Sequence, residues 1–176
     1  MAGIDESRPF IALNIAVLTI SDSRTHEDDV SGNTLVERIE QAGHTLHSQR
    51  IVPDDQTTIE SVLRACIGDA GVDVVISTGG TGLTGRDVTP EAFASVYEKE
   101  IPGFGELFRA LSYELIGTST IQSRATGGVC RGTYLFALPG SPGACRDGWD
   151  KILQYQLDNR FRPCNLVEIL PRLQER

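Results

Sequence analysis

Val74-Val75-Ile76-Ser77-Thr78-Gly79-Gly80-Thr81-Gly82-Leu83-Thr84-Gly85-Arg86-Asp87-Val88-Thr89-Pro90-Glu91 reads as a buried strand, a glycine-rich loop and the start of a helix. Val-Val-Ile is a β-branched apolar run of the kind that fills an interior parallel strand. The glycines bring bare backbone N–H groups close to a ligand. Thr89 before Pro90 predicts an N-cap with proline at N1, so a helix begins there. A glycine loop between a strand end and a helix start suits a phosphate or another anion. Most such turns are only tight connections, and this one is neither the dinucleotide fingerprint nor a Walker loop. The pair Arg86-Asp87 favours the ligand reading, because a carboxylate beside a phosphate cradle usually needs a metal to be tolerated.

Outward from this stretch, strand and helix alternate. Leu13 to Ile20 reads as the first strand. Leu35, Ile39 and Ala42 repeat at helical spacing, and Gly43 is placed to end that helix. Leu46 to Val52 predicts a more polar strand near a sheet edge. Thr57 and Glu60 read as a capping box for a helix that buries Ile59, Leu63, Cys66 and Ile67. The strand Val72 to Ser77 follows, then the loop and a helix from Pro90. Pro102-Gly103 separates that helix from another, whose stripe is Leu107, Ala110, Leu111 and Leu115. Thr133 to Leu138 is the last buried strand, and Ser141-Pro142 starts a helix running to about Leu157. Such alternation predicts an α/β fold, a three-layer α/β/α domain on a mostly parallel sheet. Residues 1–10 are polar and acidic and read as a flexible N-terminal tail, leaving 11–176 as a single domain.

Composition narrows the partners. A chain of 176 residues suits one domain rather than two, and a net charge of −8 argues against nucleic acid, which calls for a basic face. No run approaches the ~18 apolar residues of a membrane span. The head lacks the charged-then-apolar pattern of a secretory leader, so the cytoplasm is the expected location. Cys66, Cys130, Cys145 and Cys164 form no C-x-x-C pair, and His26, His44 and His47 do not cluster with them. Reduced thiols are therefore expected, not zinc or disulfides.

In an open parallel sheet, the loops after the strands share the carboxyl edge, where ligands bind. Here those loops are Ser21-Asp22-Ser23-Arg24, Pro53-Asp54-Asp55, the glycine loop with Asp87, and Pro139-Gly140-Ser141-Pro142. Two carboxylates facing one phosphate site is an arrangement that holds Mg²⁺ on a nucleotide. Each residue also has a plainer reading. Asp54 and Asp55 could cap the next helix, Asp22 could close a turn, Asp87 could pair with Arg86, and Ser141 could be an N-cap. Their convergence on one edge favours a site.

Four ordered motifs then carry a resemblance: Thr78-Gly79-Gly80-Thr81-Gly82, Arg86-Asp87-Val88-Thr89-Pro90-Glu91, Pro102-Gly103-Phe104-Gly105-Glu106 and Leu138-Pro139-Gly140-Ser141-Pro142. The chain resembles the molybdopterin-binding domain family of molybdenum cofactor biosynthesis from about Leu13 to its end. The resemblance implies a reaction in which molybdopterin is adenylylated with Mg-ATP and pyrophosphate is released, before molybdate insertion on another protein or domain. Asp54 and Asp87 match the two aspartates essential to that chemistry, as catalytic groups and as Mg²⁺ ligands. By the same resemblance Thr78, Gly79, Gly80, Thr81 and Gly82 would cradle an anion, and Ser21, Asp22, Pro139, Gly140 and Ser141 would line the rest of the pocket. Glu106 and Arg124 are placed near it by family pattern alone. Gly143 stands where a lysine is common, which removes one phosphate contact. The resemblance further implies a homotrimer or hexamer, with other proteins of the pathway as partners. The alternative is a non-catalytic molybdopterin-binding carrier or scaffold, which would need neither aspartate.

Overall fold

The computed structural model describes residues 2–175. The first half of the chain runs β1 (Gly3–Ile4), β2 (Asn14–Ile20), α1 (Val30–Gln41), β3 (Thr45–Val52), α2 (Gln56–Gly68), β4 (Val74–Thr78) and α3 (Thr89–Val96). The second half adds β5 (Lys99–Glu100), α4 (Pro102–Ile116), β6 (Thr126–Cys130), β7 (Thr133–Leu138), α5 (Pro142–Gly148), α6 (Gln154–Gln156), β8 (Phe161–Arg162) and α7 (Leu166–Ile169). A 3-10 segment, Gly117–Gln122, follows α4, and a π turn over Trp149–Leu153 joins α5 to α6.

The main sheet has the order β3-β2-β4-β7-β6-β5; β3, β2, β4 and β7 are parallel, β6 runs antiparallel to β7, and β5 runs antiparallel to β6. Strands β4 and β7 are buried along their whole length because helices cover both faces of the sheet. Alternation along β2 sends Ile15 and Val17 to one core, with Leu35, Ile39, Phe104, Phe108 and Trp149. Ala16, Leu18 and Ile20 face the other, with Ile59, Leu63 and Phe93. The three-layer α/β/α fold on a mostly parallel sheet is therefore as the sequence predicts, with the polar strand β3 at one edge.

Several local expectations give way. The cap of α2 is Asp55, whose carboxylate accepts from Thr58 N at 2.7 Å and Thr58 Oγ1 at 2.6 Å; Thr57 and Glu60 form no capping box. Thr89 does not cap α3 either, because its hydroxyl is turned back to donate to Gly79 O at 3.0 Å. Pro102-Gly103 opens α4 instead of merely separating two helices. The buried face of α4 is Phe104, Gly105, Phe108 and Ser112, while Leu107 and Leu115 are exposed. Strand β6 was not expected, since Gly127-Gly128 lacks a strand pattern. Tyr97 and Phe136 lie where side chains at those positions would project.

The head is also tied down where a flexible tail was expected. Strand β1 pairs with β8, Arg8 Nη1 donates to Asn159 O at 2.7 Å, and Ile11 N donates to Asn159 Oδ1 at 2.9 Å. Phe10 packs on His44 and lies under the Arg160 guanidinium. His44 is buried, and its Nδ1 accepts from Leu13 N at 3.1 Å.

Candidate functional site

From β2 the chain runs out to β3 and then crosses back past β2 to β4, and a crevice opens at the strands' carboxyl ends where the winding reverses. Backbone bonds stitch the loops there together. Ser21 N donates to Val52 O at 2.9 Å, and Gly79 N donates to Leu138 O at 3.0 Å. Gly79 has φ +103°, and any Cβ there would run into Ile20 O. Gly140 approaches so closely that its Cβ would stand 3.2 Å from Gly79 Cα. Backbone rests on backbone at this point, which is why glycine is required.

The two aspartates lie against this loop. A Cβ on Gly80 would stand 2.8 Å from Asp54 Oδ1, and one on Gly82 would stand 2.7 Å from Asp87 Oδ2. Asp22 accepts from Asp54 N at 3.0 Å through Oδ1, while its Oδ2 pairs with Arg86. Arg86 thus pairs with Asp22 and leaves Asp87 to other partners. Asp87 Oδ2 accepts from Thr84 N at 2.8 Å and from Thr84 Oγ1 at 2.7 Å.

These settings push the two carboxyls in opposite directions. Burial raises Asp54 above the ordinary carboxylate range, and the negative charges of Asp22 and Asp87 raise it further. The Thr84 hydroxyl bond holds Asp87 below that range, helped by backbone N–H groups and the Arg124 charge. Negative charge is thus concentrated at the loop beyond what its own cations offset, a setting that suits a divalent cation. Among the described residues, no group of three or more His, Cys, Asp or Glu could hold a metal ion. The donor set fits Mg²⁺ shared with phosphates, which needs only one or two carboxylates from the protein.

A cavity of about 510 Å³ opens beside the loop, lined by Gly80, Thr81, Gly82, Asp87, Pro139, Gly140 and Ser141. Seven of the residues singled out in the sequence therefore meet on one cavity. Apart from Gly143, which the resemblance already marked, its far wall carries no such mark in the sequence. Phe108, Ser112, Leu115 and Ile116 come from α4, Ser119, Thr120, Gln122 and Ser123 from the 3-10 segment and its end, and Gly143, Ala144 and Asp147 from α5. The one sequence signal for this wall is the hydroxyl-rich run Gly117-Thr118-Ser119-Thr120. Ser141 caps α5, accepting from Ala144 N at 3.1 Å, and also borders the cavity.

Other singled-out residues lie elsewhere. Thr78 is fully buried, donating to Pro139 O at 2.9 Å and accepting from Cys145 Sγ at 3.1 Å, so it braces the loop from beneath. Ser21 Oγ accepts from Arg24 N at 3.2 Å and closes its own turn. Asp22, Asp54 and Gly79 stand beside the cavity without lining it. Glu106 belongs to a second cavity of about 400 Å³, with Arg109 and Arg124. Arg124 reaches the loop nonetheless, donating from Nε to Gly82 O at 2.8 Å and from Nη2 to Asp87 O at 2.6 Å.

In an open parallel α/β sheet the switch point is where ligands bind, and here the glycine loop and both aspartates stand there. The family model described as "Probable molybdopterin binding domain" matches residues 16–159, and the chain belongs to that family. It is 48% identical over 159 residues to molybdenum cofactor biosynthesis protein B of Escherichia coli (strain K12), covering 90% of this chain and 94% of that protein. A crystal structure of a molybdenum cofactor biosynthesis protein B superimposes with a TM-score of 0.86 at 40% identity, over 96% of this chain and 100% of the other. The tungsten cofactor synthesizing protein MoaB from Pyrococcus furiosus gives 0.77 at 35% identity, over 93% and 98%.

Proposed function

We propose that this protein acts in molybdenum cofactor biosynthesis, binding molybdopterin and joining its terminal phosphate to the α-phosphate of Mg-ATP. An oxygen of the pterin phosphate attacks the α-phosphorus, the new P–O bond forms, and the bond to the β-phosphate breaks to release pyrophosphate. The observation that carries the reading is the seating of Asp54 and Asp87 against a glycine loop that lines a cavity, one carboxyl pushed up and the other held down. Bound Mg²⁺ would neutralise the phosphate charge, and Asp54 and Asp87 are the residues that would hold it. Phosphoryl chemistry is mainly positioning and charge neutralisation, which suits a site with no nucleophile of its own.

The backbone at Gly80 and Thr81 lines the cavity and would offer N–H donors to an anion, with Ser141 at the start of α5 bordering the same space. The hydroxyls of the 3-10 segment and the apolar Phe108, Leu115 and Ile116 suit a flat polar heterocycle. A cytoplasmic homotrimer or hexamer belongs to the same reading. Leu107, Tyr113 and Ile121 are exposed apolar side chains on and after α4, which supports association of copies.

The test is pyrophosphate release from Mg-ATP with purified molybdopterin, comparing the unaltered protein with Asp87→Ala. Adenylylated pterin from the unaltered protein, with a loss of about a hundredfold or more in the variant, is the expected result. Tight molybdopterin binding with no turnover would instead leave a carrier or scaffold.

A further inference from the structure

Arg124 is a half-buried residue outside the main cavity, yet its side chain donates to two carbonyls of the glycine loop. Its Nε donates to Gly82 O at 2.8 Å, its Nη2 to Asp87 O at 2.6 Å, and its Nη1 meets the Glu91 carboxylate on α3. Its own backbone N donates to Thr81 O at 3.3 Å. Asp87 is thereby fixed twice. Thr84 grips its carboxylate, and Arg124 grips its carbonyl. Between these grips lie Leu83, Thr84, Gly85 and Arg86, all exposed. Their other tie to a distant element is the pair of Arg86 with Asp22. A planar guanidinium suits this task, because its fixed fork holds several acceptors at once and a single ammonium cannot.

We propose that Arg124 is a positioning residue, a clamp that sets the shape of the loop from Thr81 to Asp87 and so aims the Asp87 carboxylate, without itself touching substrate. Its kinetic consequence rests on the adenylyl-transfer reading; the clamp does not. Arg124 therefore earns its place near the site as a brace, where the family pattern suggested a binding residue.

Two readouts test the clamp. Amide hydrogen exchange over residues 83–87 is expected to quicken at least about tenfold in Arg124→Ala, with β4 and β7 unchanged. In the turnover assay, kcat is expected to fall about a hundredfold while KM for Mg-ATP moves less than about threefold, the mark of lost alignment rather than lost binding. Arg124→Lys should share both defects, and added guanidinium ion at sub-denaturing concentration should restore part of the alanine variant's turnover. Unchanged exchange in the loop overturns the clamp, as does a raised KM at unchanged kcat, which would make Arg124 a ligand contact. If the unaltered protein shows no turnover, the adenylylation reading fails while loop exchange still decides the clamp. Should the alanine variant not fold, the lysine variant carries the same comparison.

Discussion

Asp54 illustrates how a residue can serve a site at the expense of the fold. Its ionisation is opposed by burial and by Asp22 and Asp87, so its folded pKa lies above the unfolded value. The unfolded chain therefore loses this proton first as pH rises, and wild-type stability declines from about pH 4 up through the raised value. Asp54→Asn lacks that penalty. It is expected to melt about 1–3 °C higher at pH 7–8, an advantage that vanishes near pH 3, and to lose the adenylyl-transfer activity. Thermal unfolding at the two pH values checks the first part, and equal melting at both would remove the electrostatic account. Asp87 is the opposite case, held ionised by Thr84, so its contribution is present above the unfolded value and lost as pH falls through the depressed one. From sequence alone the two aspartates were equivalent candidates. Asp87 owes its state first to Thr84, three residues before it, whereas Asp54 is raised by burial and by Asp22 and Asp87, more than thirty positions away, which no local pattern encodes.

Elements show where local sequence signals suffice. The Ser141-Pro142 start was legible because the cap, the proline and the helix are adjacent, and the structure has the expected bond from Ala144 N to Ser141 Oγ. Ser141→Ala should cost about 1 kcal/mol, read as a lower urea midpoint with an unchanged slope. A midpoint within error of wild type would show that the cap is satisfied otherwise. Elsewhere two signals competed. Asp55 stands two residues before Thr57 and captures Thr58, so the capping box had no free end to close. Along α4, apolar residues occupy two stripes of the same helical period, and only the tertiary fold chooses Phe104 and Phe108 over Leu107 and Leu115 for burial. Strand β6 was hidden for a related reason. Its glycines make room for aromatic rings of other elements, a demand invisible in the segment itself.

Across the whole molecule, one buried histidine joins the head to the second half of the chain alongside the direct bonds of Arg8 and Ile11. His44 Nδ1 accepts the Leu13 N–H while its ring packs against Phe10 and Trp149, and Asp158 is the charged group that faces it. Burial lowers its folded pKa despite Asp158, so acid favours protonation of the unfolded chain. Stability should then fall as pH drops below about 6.5 and level off beneath the depressed folded value. His44→Gln keeps an acceptor and removes the titration, and is expected to flatten that slope in denaturant unfolding at pH 5 to 7. The same slope in both proteins would exclude His44 as its source. The docking of the head is not legible in its polar, acidic sequence, because the partner of Arg8 and Ile11, Asn159, lies some 150 positions away.

The meeting of Gly79, Gly140 and Ile20 has an evolutionary corollary. A floor of bare main chain offers selection almost nothing to alter, since every substitution at Gly79 meets Ile20 O before it meets a ligand. Side chains around the cavity, such as Ser119, Thr120 and Gln122, and the open space at Gly143, can change without disturbing that contact.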